Sequence, residues 1–363
     1  MMAFSVVFFY GIINCITQRA WLAAAFTSLV IFDNALVIHS RAAHLDGIQL
    51  FFVLGALYYF VRTVTQFIHH QKAVRLKDYA ILGVWIGLGI MVKVTAAILL
   101  LLFAMLYIVE QWQQIKTWKW EALLRRLAVT VPSAVIPVIL SICAVFYIHI
   151  GMGTKIVANK TYKASPEYLN QIRAGDTWSL KTFQLGIRDN WKYMSEYADG
   201  VPRLDVCKPD ENGSYALSWP LSKKTISYRW DRNVEDGKVI VKYKYLIGNP
   251  IVWFSIVGGI ILSVGLIISR YVYNNPVKDE KLFYWICAFS GLYICYITTI
   301  LQIERVMYLY HYFIALIFGA INLALIYTYI YRDEVIANNK HTIINTALFA
   351  ALISSADKFV VPK

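Results

Sequence analysis

The stretch Phe32-Asp-Asn-Ala-Leu-Val-Ile-His-Ser-Arg-Ala-Ala-His-Leu-Asp-Gly47 decides how the rest of the sequence is interpreted. It places polar and charged side chains between two segments that are each apolar enough to cross a bilayer. A charged side chain at the end of a membrane helix is costly and commonly functional, although a single arginine there also serves as a snorkelling anchor. Because several ionisable residues occur close together, a functional role is favoured over an anchoring one.

Helical spacing places Asp33, Arg41 and His44 on one face of the helix that carries this stretch. Asp46 falls roughly opposite Asp33, and Gly47 follows it. We therefore expect the helix to end near His44 and a turn to change the direction in which the Asp46 side chain points. Alternatively, Asp33 forms an ion pair with Arg41 instead of serving as a catalytic carboxylate.

The composition is that of a polytopic membrane protein, since 58% of the 363 residues are apolar, 15% are aromatic and only 16% are charged. The formal charge of +13 does not indicate nucleic-acid binding, because lysine and arginine lie mostly in short loops between apolar runs. No basic stripe with interleaved aromatic residues supports such binding either. The five cysteines are scattered, without metal or disulfide spacing.

Apolar runs predict about ten transmembrane helices, and hence an all-α polytopic fold with one extracytoplasmic soluble loop region. The run 79–109 is too long for one span, and its glycines predict a turn back near Lys93. We divide the chain into an N-terminal transmembrane core (1–150), a loop region (151–248) and a C-terminal four-helix transmembrane region (249–363). The predicted spans are 3–18, 20–38, 48–68, 79–92, 94–109, 127–150, 250–272, 282–302, 306–330 and 342–356.

Alternate loops are rich in lysine and arginine, which predicts that they face the cytoplasm. On the opposite, extracytoplasmic side each short turn keeps one cation: Arg41, Lys93 or Arg305. If these converge, they form a cationic pocket suited to a lipid-linked phosphate or pyrophosphate. Three independent snorkelling anchors are the alternative. The cytoplasmic cations are Arg19, Lys72, Arg75, Lys77, Lys116, Lys119, Arg125, Arg126, Lys278, Lys281, Arg332 and Lys340.

Residues 151–248 form the only sizeable soluble segment in the sequence. This segment is too long for a loop that only connects two helices. The alternating run Val239-Ile-Val-Lys-Tyr-Lys-Tyr-Leu246 predicts a short strand with one half-buried face. The dense aromatic residues here are either interfacial anchors or a wall that holds a polypeptide or a sugar. The candidate wall residues are Trp219, Tyr228 and Trp230.

Several segments resemble, in order, motifs of the protein O-mannosyltransferases, membrane enzymes that take a sugar from a polyprenyl-phosphate carrier. The opening stretch is similar to the family's Asp-Asn-Ala-Leu…Gln-Ser-Arg…Leu-Leu-Asp signature, and Gly87-Leu-Gly-Ile-Met-Val-Lys-Val-Thr95 to its Gly-…-Lys-Trp-Thr turn, with Val94 in place of Trp. The other matching elements are Ser218-Trp-Pro-Leu221, Tyr245-Leu-Ile-Gly-Asn-Pro-Ile-Val-Trp253 and Arg305-Val-Met-Tyr-Leu-Tyr-His-Tyr312. The resemblance implies a GT-C-like glycosyltransferase of the short prokaryotic type, since 151–248 does not resemble the family's trefoil-like inserted domain.

The chain departs from the family pattern at its start. Family members begin with a helix and an extracytoplasmic loop with an Asp-Glu pair, which the resemblance assigns to the catalytic base region. This chain begins at what corresponds to the second helix, so neither feature is expected in it. We expect a fragment, a misassigned start or a protein that is inactive alone.

The resemblance implies transfer of mannose from a dolichyl or other polyprenyl phosphate to a serine or threonine hydroxyl of a protein. The three extracytoplasmic cations would clamp the phosphate so that its developing charge is neutralised. Asp46 is the best candidate for an acceptor-binding or base-like carboxylate, with Asp33 second and Glu304 third. The predicted phosphate- and sugar-binding residues are Arg41, Lys93, Arg305, Tyr308, Tyr310 and His311.

No metal-ligand cluster is visible in the sequence, so no metal or other cofactor is expected to be required. The expected partners are membrane lipid, polyprenyl-phosphate mannose and an acceptor protein, with a homo- or hetero-dimer left open. The expected location is the plasma membrane of a prokaryote, or the endoplasmic reticulum in a eukaryote.

Three other functions stay open. One is transfer of a different lipid-phosphate-linked sugar, such as an aminoarabinose, to lipid A. A second is a transporter or flippase for a lipid-linked or anionic solute, which predicts internal repeats and charges at the bilayer midplane. No repeat is seen, and the cations lie at one interface. A third is a non-catalytic partner subunit, which the missing acidic pair leaves open.

Overall fold

The computed structural model describes residues 2–41, 44–156, 164–205, 207–208, 211, 213–235 and 238–356. Each apolar run predicted as a span is mostly helical in it, although the run 20–38 is divided between two helices. The first half of the chain is helical almost throughout. Its helices are α1 (Met2–Thr17), α2 (Ala20–Ile31), α3 (Asn34–Arg41), α4 (Leu45–His70), α5 (Leu76–Val92), a 3-10 helix (Val94–Leu100), α6 (Leu101–Glu110), α7 (Trp112–Lys116) and α8 (Trp120–Met152).

The middle of the chain carries short helices and an antiparallel hairpin, whose second strand confirms the strand predicted from the alternating run. Its elements are α9 (Pro166–Arg173), α10 (Leu180–Gly200), a 3-10 helix (Ala216–Leu221), β1 (Ile226–Glu235) and β2 (Lys238–Leu246). The C-terminal elements are α11 (Pro250–Tyr271), α12 (Glu280–Leu301), a 3-10 helix (Leu309–Tyr312), α13 (Phe313–Ile330), α14 (Arg332–Ile336) and α15 (Lys340–Ala356).

Fewer helices are long enough to span a membrane than the sequence predicted. Among the described residues, five helices are long and apolar enough to cross a membrane, or six if α2 and α3, bent by 59°, form one span. The shorter apolar helices Ala3–Thr17 and Val94–Glu110 add to these. The prediction of about ten spans is not confirmed, because some of its runs form helices as short as the 16 residues of α1 and the 10 residues of α6.

The bend between α2 and α3 is built around Asp33. Its Oδ1 accepts the backbone N–H of Leu36 at 2.9 Å and so caps the first turn of α3. The backbone of His44 is extended at the N-cap position of α4, so the predicted helical face does not include His44, whereas the prediction of a helix end near His44 is confirmed. Asp46 lies in the first turn of α4, not in a separate turn, and the partial positive charge of the helix N-terminus stabilises a carboxylate there.

Loops that the distribution of lysine and arginine assigned to the same side of the membrane lie at the same end of the helices. At one end Arg19 donates to the carbonyl oxygens of Val335 at 3.1 Å and Ile336 at 2.9 Å. At the other end Arg203, in the soluble segment, forms a backbone bridge with Arg305. Loops predicted to share a side are thus in contact. Which end faces the cytoplasm stays a prediction.

Two glycines allow α5 to pack closely against α8. A Cβ at Gly83 would lie 2.6 Å from the carbonyl oxygen of Ala134, and one at Gly87 would lie 2.8 Å from that of Val138. Close approach through small residues is typical of membrane helices. Because Lys93 directly follows α5, this contact also fixes the position of Lys93.

Buried polar side chains join α11, α12 and α13. Asn322 Nδ2 donates to Ser263 Oγ at 2.8 Å, and Ser290 Oγ donates to Asn322 Oδ1 at 3.3 Å. Polar groups are costly in an apolar interior unless they are hydrogen-bonded, so these bonds fix how the helices face one another. They hold in place α13, which directly continues the Leu309–Tyr312 turn.

Candidate active site

The charged residues of the opening stretch meet the turn that follows α5. Asp46 Oδ1 accepts a hydrogen bond from Lys93 Nζ at 2.7 Å, and Asp46 Oδ2 lies 2.9 Å from His39 Nε2. Asp46 is only 7% exposed, so both of its oxygens are engaged in a nearly dry environment. Hydrogen bonds between charged groups are short and strong. These three side chains therefore tie α3, α4 and the end of α5 together.

Gln49 fixes the backbone of the same turn. It follows Asp46 by three positions on α4 and therefore lies on the same side of that helix. Its Nε2 donates to the carbonyl oxygen of Lys93 at 2.9 Å and to Thr95 Oγ1 at 2.8 Å. One turn of α4 thus holds both the side chain and the backbone of Lys93.

A stack of rings connects this cluster to the Leu309–Tyr312 turn. The ring of His39 lies between those of His44, at a centroid distance of 4.6 Å, and Tyr310, at 5.1 Å. Lys93 Nζ lies 4.7 Å from the centroid of the Tyr310 ring, which is the geometry of a cation–π contact. Two motifs far apart in the sequence therefore share one site.

Burial and the neighbouring charged groups shift the pKa of His44. Partial burial lowers the pKa of His44 from its ordinary value, and the neighbouring His39 and Lys93 lower it further against the opposing effect of Asp46. His44 is therefore neutral at neutral pH, and Lys93 Nζ forms an ion pair with Asp46 Oδ1 at 2.7 Å. No group of three or more His, Cys, Asp or Glu side chains that could hold a metal ion occurs in the described part of the chain.

Buried aromatic residues support the turn at His311. His311 Nδ1 lies 3.2 Å from the backbone nitrogen of Tyr308 and 3.0 Å from its carbonyl oxygen. Tyr296 donates its hydroxyl to the His311 carbonyl oxygen at 2.6 Å. Trp219 stacks on His311 at 6.3 Å and donates its Nε1 to Ser214 Oγ at 2.8 Å. The Trp-Pro-Leu element therefore packs beneath His311.

A cavity of about 750 Å³ opens beside this turn. Arg305 and the Tyr308–His311 turn contribute part of its lining, and Tyr193 and Tyr197 on α10 contribute another part. Its volume lies in the range of small-molecule binding sites. The cavity thus joins the cationic end of the bundle to the soluble segment.

Most of the predicted phosphate- and sugar-binding residues come together here. Those that line the cavity or contact its lining are Lys93, Arg305, Tyr308, Tyr310 and His311. Arg41 is exposed at the end of α3 and does not occur among the described cavity-lining residues. Residues 42 and 43, which belong to the predicted stretch, lie outside the described residues. Whether all three cations converge therefore stays a prediction.

Asp33, the second predicted catalytic carboxylate, is fully buried. Its Oδ2 accepts the indole N–H of Trp253 at 2.7 Å and the backbone N–H of Asn249 at 3.2 Å. The carboxylate therefore joins the Asp-Asn-Ala-Leu element to the Gly-Asn-Pro element. This geometry gives Asp33 a structural role, and Arg41, its expected alternative partner, lies exposed instead.

The predicted acceptor wall is described only in part. Trp219 is fully buried and contributes to the lining of a second cavity of about 310 Å³, so its place in an acceptor wall stays a prediction. Tyr228 and Trp230 lie in β1, but their side chains are outside the described part of the structure. Glu304, the third carboxylate candidate, is 71% exposed and pairs with Arg203 at 2.9 Å.

Sequence reasoning missed four residues of this site. His39 stood within the opening stretch, and Gln49 lies one helical turn after Asp46, so helical spacing was the available signal for Gln49. Tyr193 and Tyr197 are four residues apart on α10 and line the same cavity. Nothing in the sequence indicated that α10 meets the Arg305 turn.

Two family models match the chain. Residues 1–152 match the model described as dolichyl-phosphate-mannose-protein mannosyltransferase. Residues 190–359 match the model of the C-terminal four TMM region of protein-O-mannosyltransferase. No curated protein matches the sequence. The matched models and the helical fold define a multi-pass membrane glycosyltransferase.

A solved structure has the same fold. The S. cerevisiae protein O-mannosyltransferase Pmt1-Pmt2 complex bound to the sugar donor is similar with a TM-score of 0.72 at 13% sequence identity, over 98% of this chain and 76% of that chain. At this identity the likeness concerns the fold. The two family models, which match residues 1–152 and 190–359, show that the chain belongs to the protein O-mannosyltransferase family. The family resemblance inferred from the motifs is confirmed.

Proposed function

We propose that the chain transfers mannose from a polyprenyl-phosphate carrier to serine and threonine hydroxyls of proteins at the extracytoplasmic face of the membrane. Membership of the family supports protein O-mannosylation. The observation that carries the site assignment is the meeting of Lys93 and Arg305 at the Tyr308–His311 turn, beside a large cavity.

Lys93 and Arg305 are proposed to stabilise the departing phosphate. The phosphate gains negative charge as the bond to the sugar breaks, and positioned cations lower that barrier. An ammonium group has three donor hydrogens, and Lys93 directs one to Asp46, which leaves donors for a phosphate oxygen. The Lys93 side chain is 21% exposed and so remains accessible. Arg305 adds a planar group suited to bidentate phosphate binding.

Asp46 remains our candidate for the acceptor-binding or base-like carboxylate. Both of its oxygens accept hydrogen bonds, so taking a proton from an acceptor hydroxyl requires Lys93 or His39 to give up its bond. A phosphate that draws Lys93 toward itself would release Asp46 Oδ1 in this way. Asp33 is a weaker candidate because it is fully buried against α11.

We propose that the acceptor polypeptide enters the cavity along α10. Tyr193 and Tyr197 have ring centroids 6.0 Å apart, and both line the cavity. Tyrosine offers a large apolar surface together with a hydroxyl, which suits an extended polypeptide with small polar side chains. Trp219 would then support His311 from below without contacting the acceptor.

The donor is proposed to be a polyprenyl-phosphate sugar, with no cofactor required. The structurally similar Pmt1-Pmt2 assembly is a complex of two chains, so we propose that this chain acts in a dimer with a second copy or a related chain. The membrane is proposed to be a prokaryotic plasma membrane or, in a eukaryote, the endoplasmic reticulum.

The test is transfer of labelled mannose from polyprenyl-phosphate mannose to a serine- and threonine-rich peptide, by membranes that contain the full chain. Arg305→Gln is expected to lower kcat/KM by about 10- to 100-fold, the loss for one contact to a charged group. Lys119→Gln, an exposed cation predicted on the other side, is the matched control and should retain activity.

Equal activity of the Arg305→Gln and Lys119→Gln variants contradicts the site assignment. Transfer that requires co-expression with a related chain and is unaffected by Arg305→Gln in this chain would instead make it a non-catalytic partner subunit. Labelling of lipid in place of peptide contradicts the proposed acceptor.

A further inference from the structure

A second charged cavity lies near the opposite end of α4 from the candidate active site. It has a volume of about 170 Å³ and lies between the second half of α4, the following loop and the start of α5. Three of its lining residues are cations: Arg62, Lys72 and Lys77. Arg62 and Asp46 are sixteen residues apart on α4, which is about 24 Å at the helical rise. The two sites are therefore separate.

This cavity keeps a net positive charge. Asp78, the one carboxylate among its described lining residues, is already engaged, since its Oδ1 accepts the hydroxyl of Tyr59 at 2.9 Å and its Oδ2 accepts the backbone N–H of Arg75 at 2.8 Å. Lys72 Nζ donates at 3.0 Å to the neutral Oε1 of Gln66. The cations thus outnumber the carboxylate, so an anion would be attracted to this cavity.

Arg62 occupies a costly position. It lies within the apolar span Leu45–His70, about 12 Å before the end of that helix by helical rise, and it is exposed. A charged side chain within a membrane helix is disfavoured unless it finds a partner or reaches the interface. Among the ion pairs of the described residues, none involves Arg62. An anion beside it would supply the missing partner.

An apolar surface continues from this cavity along α5. Ile81 lines the cavity and is 40% exposed, and Val84, three residues on, is 42% exposed. Residues spaced in this way lie on one face of the helix. A ligand that fits both features has an anionic group at the cations and an apolar chain against α5.

We propose that Arg62, Lys72 and Lys77 bind the phosphate headgroup of an anionic phospholipid, whose acyl chain lies against Ile81 and Val84. Basic cavities between membrane helices at one leaflet are suited to such headgroups. The apolar surface along α5 favours a lipid over free phosphate. This lipid would stabilise the pairing of α4 with α5 and does not take part in the transfer reaction.

The test is the thermal stability of the purified full chain in neutral detergent, followed by tryptophan fluorescence while phosphatidylglycerol is added. We expect a saturable rise in Tm with phosphatidylglycerol and a much smaller one with phosphatidylcholine. Loss of one cation is expected to weaken the apparent affinity about fivefold, and Arg62→Gln combined with Lys77→Gln about 25-fold. Lys77→Gln alone changes only an exposed side chain and should fold normally.

The matched control is the double variant Lys116→Gln and Lys119→Gln, which removes two exposed lysines from a loop predicted on the same side. It should keep the parent affinity. Equal weakening in this control, or an unchanged affinity in Lys77→Gln, would show only general surface attraction and overturn the proposal. An equal Tm rise with inorganic phosphate would contradict the assignment to a lipid.

Discussion

The contact between Asp46 and Lys93 should be strongly coupled, and a double-mutant cycle measures that coupling directly. At the observed 2.7 Å, opposite charges in an effective dielectric of about 20 attract by about 6 kcal/mol. Because Lys93 remains 21% exposed and removing both charges from water is costly, about half of this should survive. We therefore expect a coupling free energy of about 3 kcal/mol between Asp46→Asn and Lys93→Gln.

The assay is thermal or denaturant unfolding of the four proteins of the cycle in one detergent. The double variant should be little less stable than either single variant, because each single change leaves the other charge without its ion-pair partner. The pair Arg203 and Glu304 is the control, since its side chains are 83% and 71% exposed and its coupling should stay below about 1 kcal/mol. A coupling as small as this for Asp46 and Lys93 would refute the assigned geometry.

Three further changes test other parts of the account. Asp33→Ala leaves the indole of Trp253 and two backbone donors unpaired, so it should lower the free energy of unfolding by about 3–5 kcal/mol, measured by chemical denaturation. Tyr197→Ala should raise KM for a peptide acceptor with little change in kcat, whereas Trp191→Ala, 70% exposed and outside the cavity lining, should leave both unchanged. Burial raises the pKa of Asp279, but hydrogen bonds from α12 and from the first residue of α14 outweigh it, so that pKa is lowered. Its stabilising effect should be present above the ordinary pKa and lost as the pH falls through the lowered one, so Asp279→Asn should destabilise at neutral pH and less in acid; a pH-independent difference would contradict this.

Much of the fold was predictable because hydrophobicity and length alone determine where membrane helices form. Each apolar run is mostly helical, and the alternating run 239–246 is a strand. Span length was less predictable, since the 59° bend at Asp33 depends on bonds to Trp253 and Asn249, which lie far along the chain. Local periodicity carries no information about such contacts.

The sequence indicated which charged residues belong to the candidate site, but not which residues they contact. Lys93 and Arg305 were indicated by the motifs and by their position in short turns on the predicted extracytoplasmic side. The structure places both beside the Tyr308–His311 turn. The partners of Lys93 were not predicted, because which faces of α4 and α5 meet is decided by packing. The burial of Trp219 was not predicted, because its indole donates a hydrogen bond to Ser214, a contact that local periodicity does not show.

The most direct test of the central claim is the position of the donor phosphate in a cryo-electron microscopy map of the chain in lipid nanodiscs with polyprenyl-phosphate mannose. The account predicts phosphate density within hydrogen-bond distance of Lys93 and Arg305, with the sugar in the cavity beside Tyr308. Density at another place on the bundle, with Lys93 still bound only to Asp46, would contradict it.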